Sequence, residues 1–247
     1  MKLQKFLQMT AKVSRRKADQ LISQGKVQVN GEIIKEYWYD IDPNKDTVTL
    51  EGKELSFKSV RLYYYLLNKP AGYITTMFDP QGRSTVWDLI KDKVKDRVYP
   101  VGRLDKDTEG LLILTNDGIF ANRIMHPKYK IPKKYEAVVE GILTRKEILE
   151  LRNGVILNDG YKTLPAKVKI LEKLGTKTRI EIEIREGKKR QIKNMFKALG
   201  HKVLYLKRLS IGPLTLKGIE RVGKLREITK EELKKFDRFI ENLNEDQ

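Results

Sequence analysis

Pro100-Val101-Gly102-Arg103-Leu104-Asp105-Lys106-Asp107-Thr108-Glu109-Gly110-Leu111-Leu112-Ile113-Leu114-Thr115 is the stretch around which the chain is organised. A turn-prone Pro and Gly open it, a base and a carboxylate follow two apart around one Leu, and a second Gly leads into an apolar run suited to a buried strand. Positions two apart in an extended segment face the same side, so Arg103 and Asp105 are expected to share a groove while Leu104 points into the core. An isolated Arg-x-Asp is ordinarily a surface ion pair. Here Asp105 stands beside Asp107 and Glu109 in a strongly positive chain, and a carboxylate buried beside apolar strands needs a compensating partner.

The charge balance frames that site. Among 247 residues, 51 Lys and Arg oppose 33 Asp and Glu, a formal net charge of +18. An excess of that size points to a polyanion, nucleic acid by default. A membrane surface is the competing polyanion, but no basic amphipathic helix with Trp or Phe on its apolar side stands out. The chain has no cysteine, which excludes disulfides and thiolate chemistry, and only two histidines, His126 and His201, too few for a His-rich metal site. No N-terminal apolar segment and no run of about 18 apolar residues is present, so a soluble, cytoplasmic protein is expected. The length suits one large domain with one small one.

Downstream of the central stretch, Asn116-Asp117-Gly118 forms a turn, and a helix through Phe120, Ala121, Ile124 and Met125 is expected to pack on the sheet. From Arg123 to Lys134 six basic or His side chains occur with no acid between them. His126, before Pro127, reads as a helix-end polar residue without chemistry. Lys134 to Val139 begins a strand with Tyr135, Ala137 and Val139 on one side. Thr144 caps a helix to Leu151, and strands follow at Lys167–Glu172 and Thr178–Arg185. A Glu186-Gly187 turn then leads into a helix carrying Ile192, Met195, Phe196 and Leu199 at helical spacing, ended by Gly200. Between Arg185 and Arg208, nine Lys and Arg oppose the single Glu186. Gly218 to Leu225 fits a G-x-x-x-x-G-K pattern but lacks the hydroxyl and following helix that a nucleotide-binding loop requires. Lys230–Leu243 reads as a charged amphipathic helix with Leu233, Phe236 and Ile240 inward.

Upstream, Leu3, Phe6 and Leu7 mark a first helix. Ser14 can cap a second one, Arg15 to Gln24, with Ala18, Leu21 and Ile22 on its apolar side. Val27 and Val29 alternate up to Asn30-Gly31, a two-residue hairpin signal, and Ile33 resumes the strand. The strand Asp46–Leu50 and a Glu51-Gly52 turn close this module, and the polar stretch Lys53–Ser59 is the expected linker. Tyr63 to Pro70 opens the second domain as a strand, and Thr85–Ile90 reads as a short helix.

Gly102-Arg103-Leu104-Asp105, continued by Asp107-Thr108-Glu109-Gly110-Leu111, resembles the G-R-L-D signature of the RNA pseudouridine synthases, most closely the RsuA-type ribosomal family. Ser14-Arg15-Arg16-Lys17-Ala18-Asp19 with Gly25 to Gly31 resembles the S4 RNA-binding module. Lys134-Tyr135-Glu136 is similar to the family's K-x-Y element, and Glu186-Gly187 with Gln191-Ile192-Lys193 to its E-G-x-x-x-Q-[VI]-[KR] element. The resemblance implies an α+β chain: an S4-like module at residues 1–60, then a catalytic domain at 61–247 built on a mixed, mainly antiparallel β-sheet flanked by helices.

It also implies isomerisation of uridine to pseudouridine in ribosomal RNA, the large-subunit branch favoured over the small-subunit one. Breaking a glycosidic bond builds positive character at C1′, which a carboxylate can stabilise or trap. By motif match that carboxylate is Asp105, whether by attack at C1′, attack at C6 or a glycal-like route. Lys193 would keep it ionised, and Tyr135 would lie against the uracil. The base must leave its stack. Arg103 would fill the vacated space or hold the flipped phosphate. Arg123, Lys128, Lys188, Arg190 and Gln191 would contact RNA in the catalytic domain, and Arg15, Arg16 and Lys17 would add a second grip at a helix N-terminus. Neither cofactor nor metal is expected. The partners expected are ribosomal RNA and a ribosomal-subunit precursor, bound by a monomer without a membrane. The rival readings are a non-catalytic S4-type assembly factor, which has no need of a buried acid, and a nuclease using Asp105, Asp107 and Glu109 for metal.

Overall fold

Caps and tight turns set where the elements of the N-terminal part begin and end. The structure is a computed structural model that describes residues 1–57 and 61–245, and it divides into two compact units, Met1–Leu62 and Tyr63–Gln247. In the first, helix α1 (Leu3–Thr10) buries Leu3, Phe6 and Leu7. Helix α2 (Arg15–Ser23) starts where the Ser14 hydroxyl accepts from the Lys17 amide at 3.1 Å, and it buries Ala18, Leu21 and Ile22. Strands β1 (Val27–Val29), β2 (Glu32–Ile33), β3 (Val48–Leu50) and β4 (Lys53–Leu55) form one antiparallel sheet ordered β2-β1-β3-β4. Asn30 and Gly31, at φ 51° and 88°, make the two-residue turn between β1 and β2.

The expected linker Lys53–Ser59 is corrected at its start. Glu51 and Gly52 both take positive φ, so the chain folds straight back and Lys53–Leu55 pairs with β3. Leu55 and Phe57 then pack on this unit's core, with the Phe57 ring 6.1 Å from that of Phe6. The rest of that stretch, residues 58 and 59, lies outside the described residues.

The second unit is built from β5 (Tyr64–Lys69), α3 (Val86–Ile90), β6 (Tyr99–Val101), β7 (Glu109–Thr115), α4 (Gly118–Met125), β8 (Lys133–Glu140), α5 (Arg145–Asn153), β9 (Lys167–Leu174), β10 (Lys177–Ile184), α6 (Gln191–Ala198), β11 (Val203–Ile211), β12 (Leu214–Thr215), β13 (Leu225–Glu227) and α7 (Lys230–Glu245). The sheet runs β13-β5-β7-β11-β8-β10-β9, with β6 beside β7 and β12 beside β11. It is mixed and mainly antiparallel: among the described residues only β7 and β11 pair in parallel.

Both faces of the sheet are covered at β7, which explains why Leu111 to Leu114 is a continuous apolar run. Leu112 and Leu114 face a core shared with α3, α5 and α6. Leu111 and Ile113 face a second core with Phe120 and Ile124 of α4 and Phe236 and Ile240 of α7. Met125, expected inward, is 52% exposed; it ends its helix, and its sulfur accepts from the Gly102 amide at 3.1 Å. The Gly218–Leu225 segment is a turn into β13, fixed by Gly223 N–H donating to the Asn68 carbonyl at 2.7 Å. No described helix is long and apolar enough to cross a membrane.

Candidate active site

The site lies over one row of the sheet. Register places Lys69 of β5 opposite Gly110 of β7, Gly110 opposite Arg208 of β11, and Arg208 opposite Tyr135 of β8. Gly110 is required there. It has φ 104°, and a Cβ would come within 2.2 Å of the Arg208 carbonyl oxygen. Tyr135 is 8% exposed and belongs to the core that also contains Leu104, Leu112 and Ile192.

The loop from Gly102 to Thr108 is pinned from several sides. Leu104 is buried, and its carbonyl accepts from Thr75 Oγ1 at 2.7 Å. Beneath the loop the fully buried Lys69 ammonium donates to the carbonyls of Pro70 and Thr108, both at 2.9 Å, and of Asp105 at 3.2 Å. Burial lowers the pKa of Lys69 to about 8, against the pull of Asp107, Glu109 and Asp105. This lysine did not emerge from the sequence reading. The available signal was an Asn-Lys pair continuing a buried apolar strand up to Pro70.

With Leu104 anchored, Arg103 is exposed and Asp105 turns toward α6. The Asp105 carboxylate lies 3.2 Å from Lys193 Nζ and 3.8 Å from Arg190 Nη1. Its side chain is 33% exposed, so the expectation of a buried acid is corrected to a half-buried one; the loop lifts it to the rim, where Lys193 meets it. Lys193, only 11% exposed, bridges to Asp107 at 2.5 Å as well. Burial pushes the Asp107 carboxyl up, but its hydrogen bond to Lys193 and that ammonium's charge hold it below the usual carboxylate range. Asp105 and Asp107 thus converge on an ammonium. Among the described residues no group of three His, Cys, Asp or Glu side chains could hold a metal ion.

The start of α6 is set by a polar lock around the buried Gln191. Gln191 is 3% exposed; its Oε1 accepts from the Lys188 amide at 3.0 Å and its Nε2 donates to Glu186. Glu186 also accepts from the Tyr161 hydroxyl at 2.6 Å. Both ends of the Gln191 amide are thus engaged inside the fold, where they shape the turn. Arg190 enters the helix in the left-handed region at φ 53°, which aims its side chain at Asp105.

The other expected RNA contacts are spread more widely. Lys188 is exposed, with its ammonium 3.0 Å from the centre of the Tyr161 ring. Lys128 is exposed and sits over Tyr129 at 4.6 Å. Arg123 belongs to α4 on the opposite layer of the sheet and pairs with Asp237 at 3.0 Å. In the first unit, Arg15, Arg16 and Lys17 are exposed on the opening turn of α2.

The family model for RNA pseudouridylate synthase matches residues 63–198, and that for the S4 domain matches residues 1–46. An uncharacterised RNA pseudouridine synthase of Aquifex aeolicus (strain VF5) is 46% identical over 94% of this chain and 92% of its own length. The ribosomal large subunit pseudouridine synthase B of Bacillus subtilis (strain 168) is 43% identical over 95% of both. A crystal structure of a pseudouridylate synthase superposes with a TM-score of 0.68 at 31% identity, covering 95% of this chain and 99% of that one.

Proposed function

This chain belongs to the RNA pseudouridine synthase family, and from that premise we propose that Asp105, Lys193 and Tyr135 carry out the conversion of uridine to pseudouridine in large-subunit ribosomal RNA. The observation that carries the reading is the Asp105 carboxylate held 3.2 Å from the Lys193 ammonium at the rim of the sheet. The reaction breaks the N1–C1′ bond, turns the uracil and rejoins it through C5. It consumes no redox equivalent and no phosphate donor. Asp105 supplies the negative charge that the opening sugar needs. Lys193 holds that carboxylate in position and, nearly buried, stays in place through the reaction. Tyr135 provides a wall for the extruded uracil and a phenol that accepts or relays a proton.

Around this centre, Arg103 occupies the space left by the flipped base or holds its phosphate, and Arg190, Lys188 and Lys128 follow the RNA backbone. Arg123 joins them only by leaving Asp237. Arg15, Arg16 and Lys17 grip the RNA from the S4 module, whose boundary with the catalytic domain we set at residue 60. The large-subunit assignment is supported by the Bacillus subtilis relative. A ribosomal precursor as substrate, a monomeric state and a cytoplasmic setting complete the reading.

Mapping of pseudouridine in ribosomal RNA from cells with and without the gene tests it. One or a few positions in the large-subunit RNA are expected to go missing. An unchanged map, or losses confined to the small-subunit RNA, contradicts the substrate assignment.

A further inference from the structure

We propose that Lys133 and Arg208 form a phosphate-binding subsite beside Tyr135, occupied by a phosphodiester of the target strand next to the extruded uridine. The inference rests on the reading of Asp105 and Tyr135 given above. Arg208 is 3% exposed, at the centre of the sheet. Its Nε donates to the Leu111 carbonyl at 2.7 Å, while Nη2 is buried without a hydrogen-bond partner. A charged donor left unpaired in an interior is costly, and such groups in a stable fold call for a ligand or a water.

Arg208 is the register partner of Tyr135, and Lys133 precedes Tyr135 by two positions on the same face of β8. Lys133 donates to one carbonyl, that of Ile131, at 3.2 Å. Burial lowers its pKa to about 8, and the charge of Arg208 pushes the same way. Among the described residues neither side chain is ion-paired with a carboxylate. Two cations on one sheet face with no acid between them repel each other, and an entering anion removes that cost. A neutral uracil carbonyl would satisfy the idle nitrogen but leave the repulsion; a phosphodiester answers both.

Binding is measured in the Asp105→Asn background, so that turnover does not intervene, with a synthetic RNA spanning the uridine identified by mapping. Each phosphate flanking that uridine is replaced in turn by a neutral methylphosphonate. With Lys133 and Arg208 intact, one replacement is expected to weaken binding about 10-fold. In Lys133→Gln and Arg208→Gln the same replacement costs less than about 2-fold, and the slope of affinity against salt falls by about one phosphate contact. Arg208→Lys keeps the charge and retains part of the penalty. Equal penalties at every flanking phosphate in the intact and substituted proteins overturn the subsite and leave the catalytic reading standing. Asp105→Asn that still makes pseudouridine overturns the catalytic reading instead. Should Arg208→Gln fail to fold, Lys133→Gln, at a half-buried position, carries the same comparison.

Discussion

Replacing Lys193 with Met removes the ammonium that Asp105 and Asp107 share. At the 3.2 Å separation from Asp105 and an effective dielectric of about 20, two unit charges attract by about 5 kcal/mol. Asp105 is one-third open to water, and solvent screening leaves about half of that attraction. Where that ammonium holds the carboxylate in position against the opening sugar in the transition state, losing about 2–3 kcal/mol there corresponds to a rate about 30- to 150-fold lower. The assay is single-turnover conversion of ribosomal RNA with enzyme in excess, alongside a separate measurement of RNA affinity. Lys193 is nearly covered, so affinity should change by less than about 3-fold while the rate falls. Lys193→Arg keeps a cation at the position, though as a planar fork rather than a point charge, and should hold the rate within about 10-fold of the original. A Lys193→Met protein that converts RNA at the original rate refutes the reasoning, as does one whose whole defect lies in RNA affinity.

Other outcomes follow from the same geometry. Lys69→Met strands the carbonyls of Pro70, Asp105 and Thr108, and urea unfolding should show a loss of about 2–4 kcal/mol. Gly110→Ala forces a Cβ to within 2.2 Å of the Arg208 carbonyl oxygen at φ 104°; soluble yield and thermal midpoint should collapse, since neither backbone can yield. His201 lies 2.9 Å from Glu147 and 2.7 Å from the Glu140 carbonyl, and although burial opposes it these partners raise its pKa. Its contribution to stability is therefore full below the ordinary His value and fades as pH rises through the raised one; thermal melts against pH should lose that slope in His201→Asn. Substituting Arg15, Arg16 and Lys17 together by Ala should reduce the slope of log affinity against log salt by about 2–3 units without altering single-turnover chemistry at saturating protein.

Local signals carried much of this fold. Ser14 caps α2, Asn30-Gly31 turns the first hairpin, and the Leu111–Leu114 run is a strand buried on both faces, because each depends on neighbours along the chain. β11 was not legible: its alternation is masked by Lys207 and Arg208, and only the fold buries Arg208. Lys53–Leu55 looked like a linker because two charged residues and a single Leu on an edge strand carry little apolar signal. At the site, Arg103, Leu104 and Asp105 could be placed by alternation. The meeting of Asp105 with Lys193, 88 positions away in the chain, came only through family resemblance, since no local pattern encodes it. The bonding of Gln191 is hidden from the sequence for a related reason. An exposed amide and a buried one share a sequence, and only its bonds to Lys188 and Glu186 distinguish them.

Rejoining uracil through C5 expels the hydrogen that C5 carried, so RNA labelled with tritium at uracil C5 reports the reaction directly. Incubated with this protein, large-subunit ribosomal RNA from cells lacking the gene should release tritium to water in proportion to the uridines converted. Asp105→Asn, folded and still binding the RNA, should release none above background. Release by Asp105→Asn at the original rate would contradict the claim that this carboxylate performs the chemistry.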